Sequence, residues 1–202
     1  MKVYFHLNPS DFSNCYLVVN EKNSEAILID PGQLNEAMVN QLEGNRYKLS
    51  AILITHNHSS YMHGLKTLFK IYSPKIYGAD WELAEGATNL LMGDGKFRIA
   101  GMTVRYMTLP GHTADSMLYK IENVLFTGDS ISAGLLGTTS SSYSSQILRT
   151  NVENKIFSQQ DTTVILPGHG PPTTVRAEKL YSRGMQKRMH ETLLSPDEQG
   201  SR

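Results

Sequence analysis

Four short apolar runs in this 202-residue chain end in the same manner, and that shared ending restricts the fold more than any other feature. "SAILIT" (50–55) leads into His56 and His58. "MTLPG" (107–111) leads into His112, "VLFTG" (124–128) into Asp129, and "TVILPG" (163–168) into His169. Compact apolar runs of this length, bounded by Gly, Pro and polar residues, read as strands of a covered sheet. Strand ends on one edge of a sheet converge, and ligands bind in the crevice they form. The fold must therefore bring His56, His58, His112, Asp129 and His169 toward one another. The "LPGH" at 109–112 and its echo at 166–169 repeat one device: strand, proline, glycine turn, histidine.

The rest of the chain alternates strands with amphipathic helices. "CYLVV" and "EAILID" read as strands around the polar turn "NEKNS". Leu34, Met38, Val39 and Leu42 recur at helical spacing over 33–44, and Leu65, Leu68, Phe69 and Tyr72 form a second helical face. "PKIYGA" reads as a strand, and residues 81–92 as a helix. "FRIAGMTVRYMTLP", "SMLYKIEN" and "VLFTGD" read as consecutive antiparallel strands. Two more helices are expected over 144–158 and 173–189. "TTSSSYSS" (138–145) is the one low-complexity stretch, read as a surface loop with a substrate lid as the alternative. No composition shift marks a boundary, so one domain is expected over 1–194, with a frayed tail from 195 to 202.

Composition narrows the function classes. Formal net charge is zero, which argues against capture of nucleic acid or an anionic membrane, because both need clustered, uncompensated Lys and Arg. Hydrophobic content of 40% with 19% charged residues marks a globular chain. No apolar stretch approaches the roughly 20 residues a membrane helix needs. The opening "MKVYFHLNPSD" lacks the apolar segment of a signal peptide. The one cysteine, Cys15, permits no internal disulfide and reads as a small buried strand residue. A cytoplasmic location is expected, with a small-molecule substrate as the partner and the oligomeric state open.

Neutral imidazole and carboxylate are ready metal ligands. His56, His58 and His112 would hold a zinc-like ion with one position open for water. Asp129 would ligate the same ion or hold that water. Asp129 with two histidines would instead match the 2-His-1-carboxylate arrangement of non-haem iron.

These motifs resemble the metallo-β-lactamase-fold superfamily, particularly its small glyoxalase-II-like hydrolases. The resemblance rests on "NCYLV", "ILIDPG", "THNHSSYMHG", "LPGHTADSMLY", "LFTGDS" and "ILPGHGPPTT". It implies an α+β fold, a four-layer αββα sandwich of two mixed sheets with outer helices. It also implies His56, His58 and His112 as ligands of a first metal, Asp129 as a bridging carboxylate, and His169 as a ligand of a second. The family's first motif is T-H-x-H-x-D-H-x-x-G. Here Ser60 stands in place of its Asp and Tyr61 in place of its second-site His. A hydroxyl and a phenol are poor ligands for a divalent ion at neutral pH. One ion is therefore expected, zinc first, with iron or manganese as alternatives. His63 would replace the lost histidine if the loop is rearranged; otherwise it lies behind the ligands or on the surface. Tyr61 would hydrogen-bond a substrate or an oxyanion, or else pack its ring. Asp30 of "ILIDPG" is read as a structural turn residue.

The function so implied is hydrolysis of an ester, thioester or amide by a metal-bound hydroxide, with Asp129 and His169 as the catalytic side chains. The chain shows neither the glutathione-gripping helical region nor the Gly-Arg-Thr-Asp-like stretch of glyoxalase II. A glutathione thioester is accordingly not the expected substrate. The alternatives are a non-haem iron oxygenase acting on a sulfur substrate, and a catalytically impaired binding or regulatory relative.

Overall fold

The computed structural model describes residues 1–57, 64–83, 88–183 and 185. Two six-stranded sheets lie face to face. The first runs in the order β1 (Lys2–Leu7), β2 (Asn14–Asn20), β3 (Glu25–Ile29), β4 (Lys48–Leu53), β5 (Lys75–Gly78) and β6 (Thr88–Leu90). The order of the second is β14 (Thr173–Thr174), β13 (Val164–Pro167), β10 (Val124–Gly128), β9 (Met117–Ile121), β8 (Met102–Thr108) and β7 (Gly95–Ile99). Both are mixed. β3, β4, β5 and β6 pair in parallel while β1, β2 and β3 pair antiparallel. In the second sheet only β10 and β13 are parallel. A small hairpin, β11 (Ile131–Ser132) with β12 (Leu135–Leu136), follows β10.

Alternation along the strands divides the apolar residues into three layers, as a period-two backbone requires. Tyr16, Val18, Ile27, Ile29 and Leu53 face Val104, Tyr119, Ile121 and Phe126 between the sheets. Leu17, Val19, Leu28 and Ile52 point the other way, against Met38 and Leu42 of α1 (Glu36–Gly44) and Leu65 and Leu68 of α2 (Leu65–Ile71). Leu118, Leu125 and Ile165 form the third layer with Leu148 of α3 (Ser142–Asn151) and with Val152 and Ile156 of the π-helical turn that continues it. Val175 of α4 (Val175–Tyr181) closes that layer. Helix, sheet, sheet, helix is the αββα order. β2 and β4 are buried on both faces, which explains their near-continuous apolar sequences. Cys15 is buried on β2.

α1, α3 and α4 begin where a side chain can satisfy one of their first amides. Asn35 accepts from the Met38 amide, Ser141 from Ser144 and Thr174 from Ala177. This corrects the reading of "TTSSSYSS": Ser141 is an N-cap, and the stretch from Ser142 is the first turn of α3 rather than a loop. A second correction concerns residues 81–92. Residues 88–90 form β6, because the open edge of β5 supplies backbone partners through Ile76, Tyr77 and Gly78. The opening residues, given no element from sequence, form β1. It is an edge strand of its sheet, paired only with β2; Val3, Tyr4 and His6 are partly buried while Phe5 and Leu7 stay exposed. The expected frayed tail lies outside the described residues, as does most of the end of the 173–189 helix beyond Tyr181. Among the described residues no helix is long and apolar enough to cross a membrane.

Candidate metal centre

The two sheets meet where β4 and β10 end. β9 holds the end of β4 from across the sandwich: the Met117 amide donates to the Thr55 carbonyl (2.7 Å) and the Tyr119 hydroxyl to that of Ile54 (2.8 Å). Gly128 lies against Thr55 with φ +50, and a Cβ there would collide with the Thr55 side chain. Only glycine combines that backbone with that approach. So His56 from the first sheet and Asp129 from the second stand together.

His56, His112 and Asp129 present ligand atoms that all lie within 4.8 Å of one another. Asp129 Oδ2 is 3.8 Å from His56 Nε2 and 4.0 Å from His112 Nε2. The two imidazoles meet edge to face, centroids 4.9 Å apart. Ligands about 2.1 Å from a tetrahedral ion stand about 3.4 Å apart, so the carboxylate would approach each imidazole by about half an ångström to share zinc with it. His112 Nε2 is buried and, among the described residues, has no hydrogen-bond partner. A buried imidazole nitrogen left in that state is expensive unless it receives a ligand. The donor set therefore fits a divalent cation.

The neighbours fix which nitrogen is free to ligate. His112 Nδ1 lies 2.7 Å from the Thr138 carbonyl, which can only accept, so Nδ1 carries the proton and Nε2 the lone pair. His56 Nδ1 lies 3.2 Å from Thr55 Oγ1. That hydroxyl in turn donates to Asp30 Oδ2 at 2.8 Å, and the Thr55 amide donates to Asp30 Oδ1 at 2.8 Å. With its proton directed to Asp30, Thr55 Oγ1 accepts from His56 and turns the lone pair of Nε2 toward Asp129. Asp30 is buried, and desolvation lifts its carboxyl to about 7 against the two opposing bonds from Thr55. Its backbone is left-handed, φ 48, a conformation aspartate tolerates.

His169 sits beside this cluster rather than in it. Its Nδ1 lies 2.7 Å from Asp129 Oδ1, and the bond to that carboxylate raises its pKa. Asp129 is thus divided: one oxygen faces His169, the other faces His56 and His112. His169 is placed by a bridge to Ser13 and by bonds that sew β2 to β13, including Tyr16 hydroxyl to the Pro167 carbonyl at 2.7 Å. His58, Ser60, Tyr61 and His63 lie outside the described residues. Asn57, the last described residue before them, is held on both sides: its amide donates to Asp115 Oδ2 (2.6 Å) and its side-chain nitrogen donates to Asp80 Oδ2 (2.8 Å).

Thr55, Asp30 and the Thr138 carbonyl are the partners that sequence reasoning did not place in the site. Asp30 had a usable signal: it follows the apolar strand "EAILI" as Asp129 follows "VLFTG". A backbone carbonyl 26 residues beyond His112 leaves no such mark.

Comparison with known proteins agrees with this fold. The family described as the metallo-beta-lactamase superfamily matches residues 9–101. An uncharacterised protein of Treponema pallidum (strain Nichols) is 31% identical over 177 residues, spanning 86% of this chain and 94% of that protein. A probable polyketide biosynthesis zinc-dependent hydrolase, BaeB, from Bacillus velezensis is 32% identical over 136 residues, 63% of this chain and 60% of its own. Among solved structures, the BLEG-1 B3 metallo-beta-lactamase superposes with a TM-score of 0.80 at 25% identity, covering 91% of this chain and 99% of that one.

Proposed function

This chain belongs to the metallo-β-lactamase superfamily, and from that premise we propose that it is a metal-dependent hydrolase working with one ion, zinc first, on an ester, thioester or amide of a small molecule. The observation that carries the reading is the convergence of His56 Nε2, His112 Nε2 and Asp129 Oδ2, with the His112 nitrogen buried and waiting for a ligand. An ion held there would supply Lewis acidity and would lower the pKa of a water toward about 7. His56 and His112 would hold it as neutral imidazoles, their tautomers fixed by Thr55 and by the Thr138 carbonyl. Asp129 would balance its charge with one oxygen. Its other oxygen accepts from His169, which keeps the carboxylate from rotating and stands ready to pass a proton to a leaving group. The likeness to a zinc-dependent hydrolase supports the same reading. Cys15, buried and alone, is compatible with a reducing, cytoplasmic setting.

Elemental analysis of protein purified without added metal tests the proposal. One equivalent of zinc per chain is expected, with ester or thioester turnover abolished in His112→Ala. Protein that refuses zinc would overturn it and leave a binding or regulatory role on the same scaffold.

A second reading has one specific observation in its favour. The described ligands are two histidines and one carboxylate, the set that also suits non-haem iron. One equivalent of iron with oxygen uptake on a sulfur substrate would move the assignment there.

A further inference from the structure

The opposite end of the sandwich carries a feature that the hydrolase reading leaves unused. Lys96 on β7, Arg105 on β8 and Lys120 on β9 stand in one cross-strand row, Lys96 paired with Arg105 and Arg105 with Lys120. Directly opposed residues share a sheet face, with Cβ atoms about 4.5–5.5 Å apart, and like charges placed so are destabilising. Among the described residues none of the three forms an ion pair. Lys120 is half-buried, its ammonium held by Gln159 Oε1 at 2.7 Å, and its pKa is lowered by burial and by Arg105.

Arg105 and Lys120 of this row line a cleft of about 1000 Å³; Lys96, at the far end of the row, does not. It opens where the cover of α3 and its π-helical turn runs out, so that Ser158, Gln159 and Gln160 face the bare sheet surface at Thr103, Arg105 and Lys120. Lys22 from the β2–β3 turn adds a third basic side chain to the lining. The two acidic residues of the cleft, Glu21 and Glu122, lie within 3.8 and 3.9 Å of the Met1 ammonium and are partly neutralised by it. The strands that border this cleft place it far from the metal ligands: β10 starts beside it and ends at Asp129.

We propose that this cleft is a binding site for a small phosphorylated molecule, with Arg105 and Lys120 gripping the phosphate and the amides of Gln159 and Gln160 lining its remainder. A guanidinium beside an ammonium is the donor set a phosphate dianion takes, and charge-assisted bonds of this kind are the strong ones. The volume suits a metabolite-sized ligand. The unfavourable row of cations is then the cost of holding the donors in place before the anion arrives. Three basic side chains in one cleft match a small anion rather than a nucleic acid, which needs a continuous basic track. The site is independent of the metal centre and does not rest on the hydrolase assignment.

Inorganic phosphate is the probe. Thermal unfolding and calorimetric titration of the 202-residue chain are run with phosphate against sodium chloride of equal ionic strength. The parent protein, Arg105→Gln, Lys120→Gln and His112→Ala are compared. Phosphate is expected to raise the unfolding temperature of the parent and of His112→Ala. Each cleft variant is expected to bind about tenfold more weakly, as loss of one charge-assisted bond implies. In low-salt buffer without phosphate, both cleft variants should unfold no lower than the parent, since each relieves repulsion. Three results would overturn the proposal: no gain from phosphate beyond chloride, an undiminished gain in both cleft variants, or a gain that disappears only in His112→Ala.

Discussion

Asp30 offers the sharpest test of how the site is built, because two substitutions there should separate folding from metal binding. Asp30→Ala removes both acceptors of the buried Thr55. A stranded buried amide costs about 1–3 kcal/mol. The hydroxyl can turn to His56 and loses less. Alanine in the left-handed region that Asp30 occupies adds about 1–2 kcal/mol. The sum is about 2–5 kcal/mol, a large part of the 5–15 kcal/mol typical of a folded domain. Asp30→Asn behaves differently. Its amide oxygen still accepts from the Thr55 amide, and asparagine tolerates the backbone. Its NH2, however, must donate to Thr55 Oγ1, which reverses that hydrogen bond. Thr55 then donates to His56 Nδ1 and moves the imidazole proton to Nε2, the nitrogen that should ligate. We expect Asp30→Asn to stay within about 1 kcal/mol of the parent in urea unfolding while its zinc affinity, measured by chelator competition, falls about 10–100-fold. Unchanged zinc affinity in Asp30→Asn would refute the relay from Asp30 through Thr55 to His56.

Three further outcomes follow from the same geometry. His169→Ala releases one oxygen of Asp129 and should weaken metal binding about 10–100-fold, read by the same competition, with little change in urea midpoint. Gly137→Ala would drive a Cβ into the Asp129 backbone carbonyl; we expect about 1–3 kcal/mol lost in urea unfolding together with weaker metal binding. The pH dependence has a definite sign. Asp30 is raised from 3.8 to about 7 in the folded protein, so between these values the unfolded chain has released a proton that the folded one keeps. Its contribution to stability therefore falls as pH rises from about 4 to 7, by roughly 1.4 kcal/mol for each step of one in pH, and is level above that. Metal-free protein titrated against Asp30→Asn should show this slope in the parent alone.

The sequence made the candidate site residues legible because each stands at the same grammatical place, just past an apolar strand. Both sheets deliver their strand ends to one edge, so His56, His112, Asp129 and His169 gather although 113 positions separate the first from the last. The helices were legible where one face is apolar over two or more turns, as in α1 and α3. They were illegible where pairing overrode periodicity. Leu83, Leu90 and Leu91 have helical spacing, yet the free edge of β5 takes residues 88–90 as a strand. What sequence alone does not carry is the division of labour within one side chain. A motif names Asp129 as a ligand, but only the fold sends Oδ1 to His169 and Oδ2 to the imidazoles. The same holds for His56, whose protonated nitrogen is decided by a hydroxyl and a carboxylate that come from the end of β4 and the turn after β3. Asp30 thereby joins two tasks that sequence reading keeps apart: it ties the strand ends together, and it sets the proton that leaves Nε2 open to a metal.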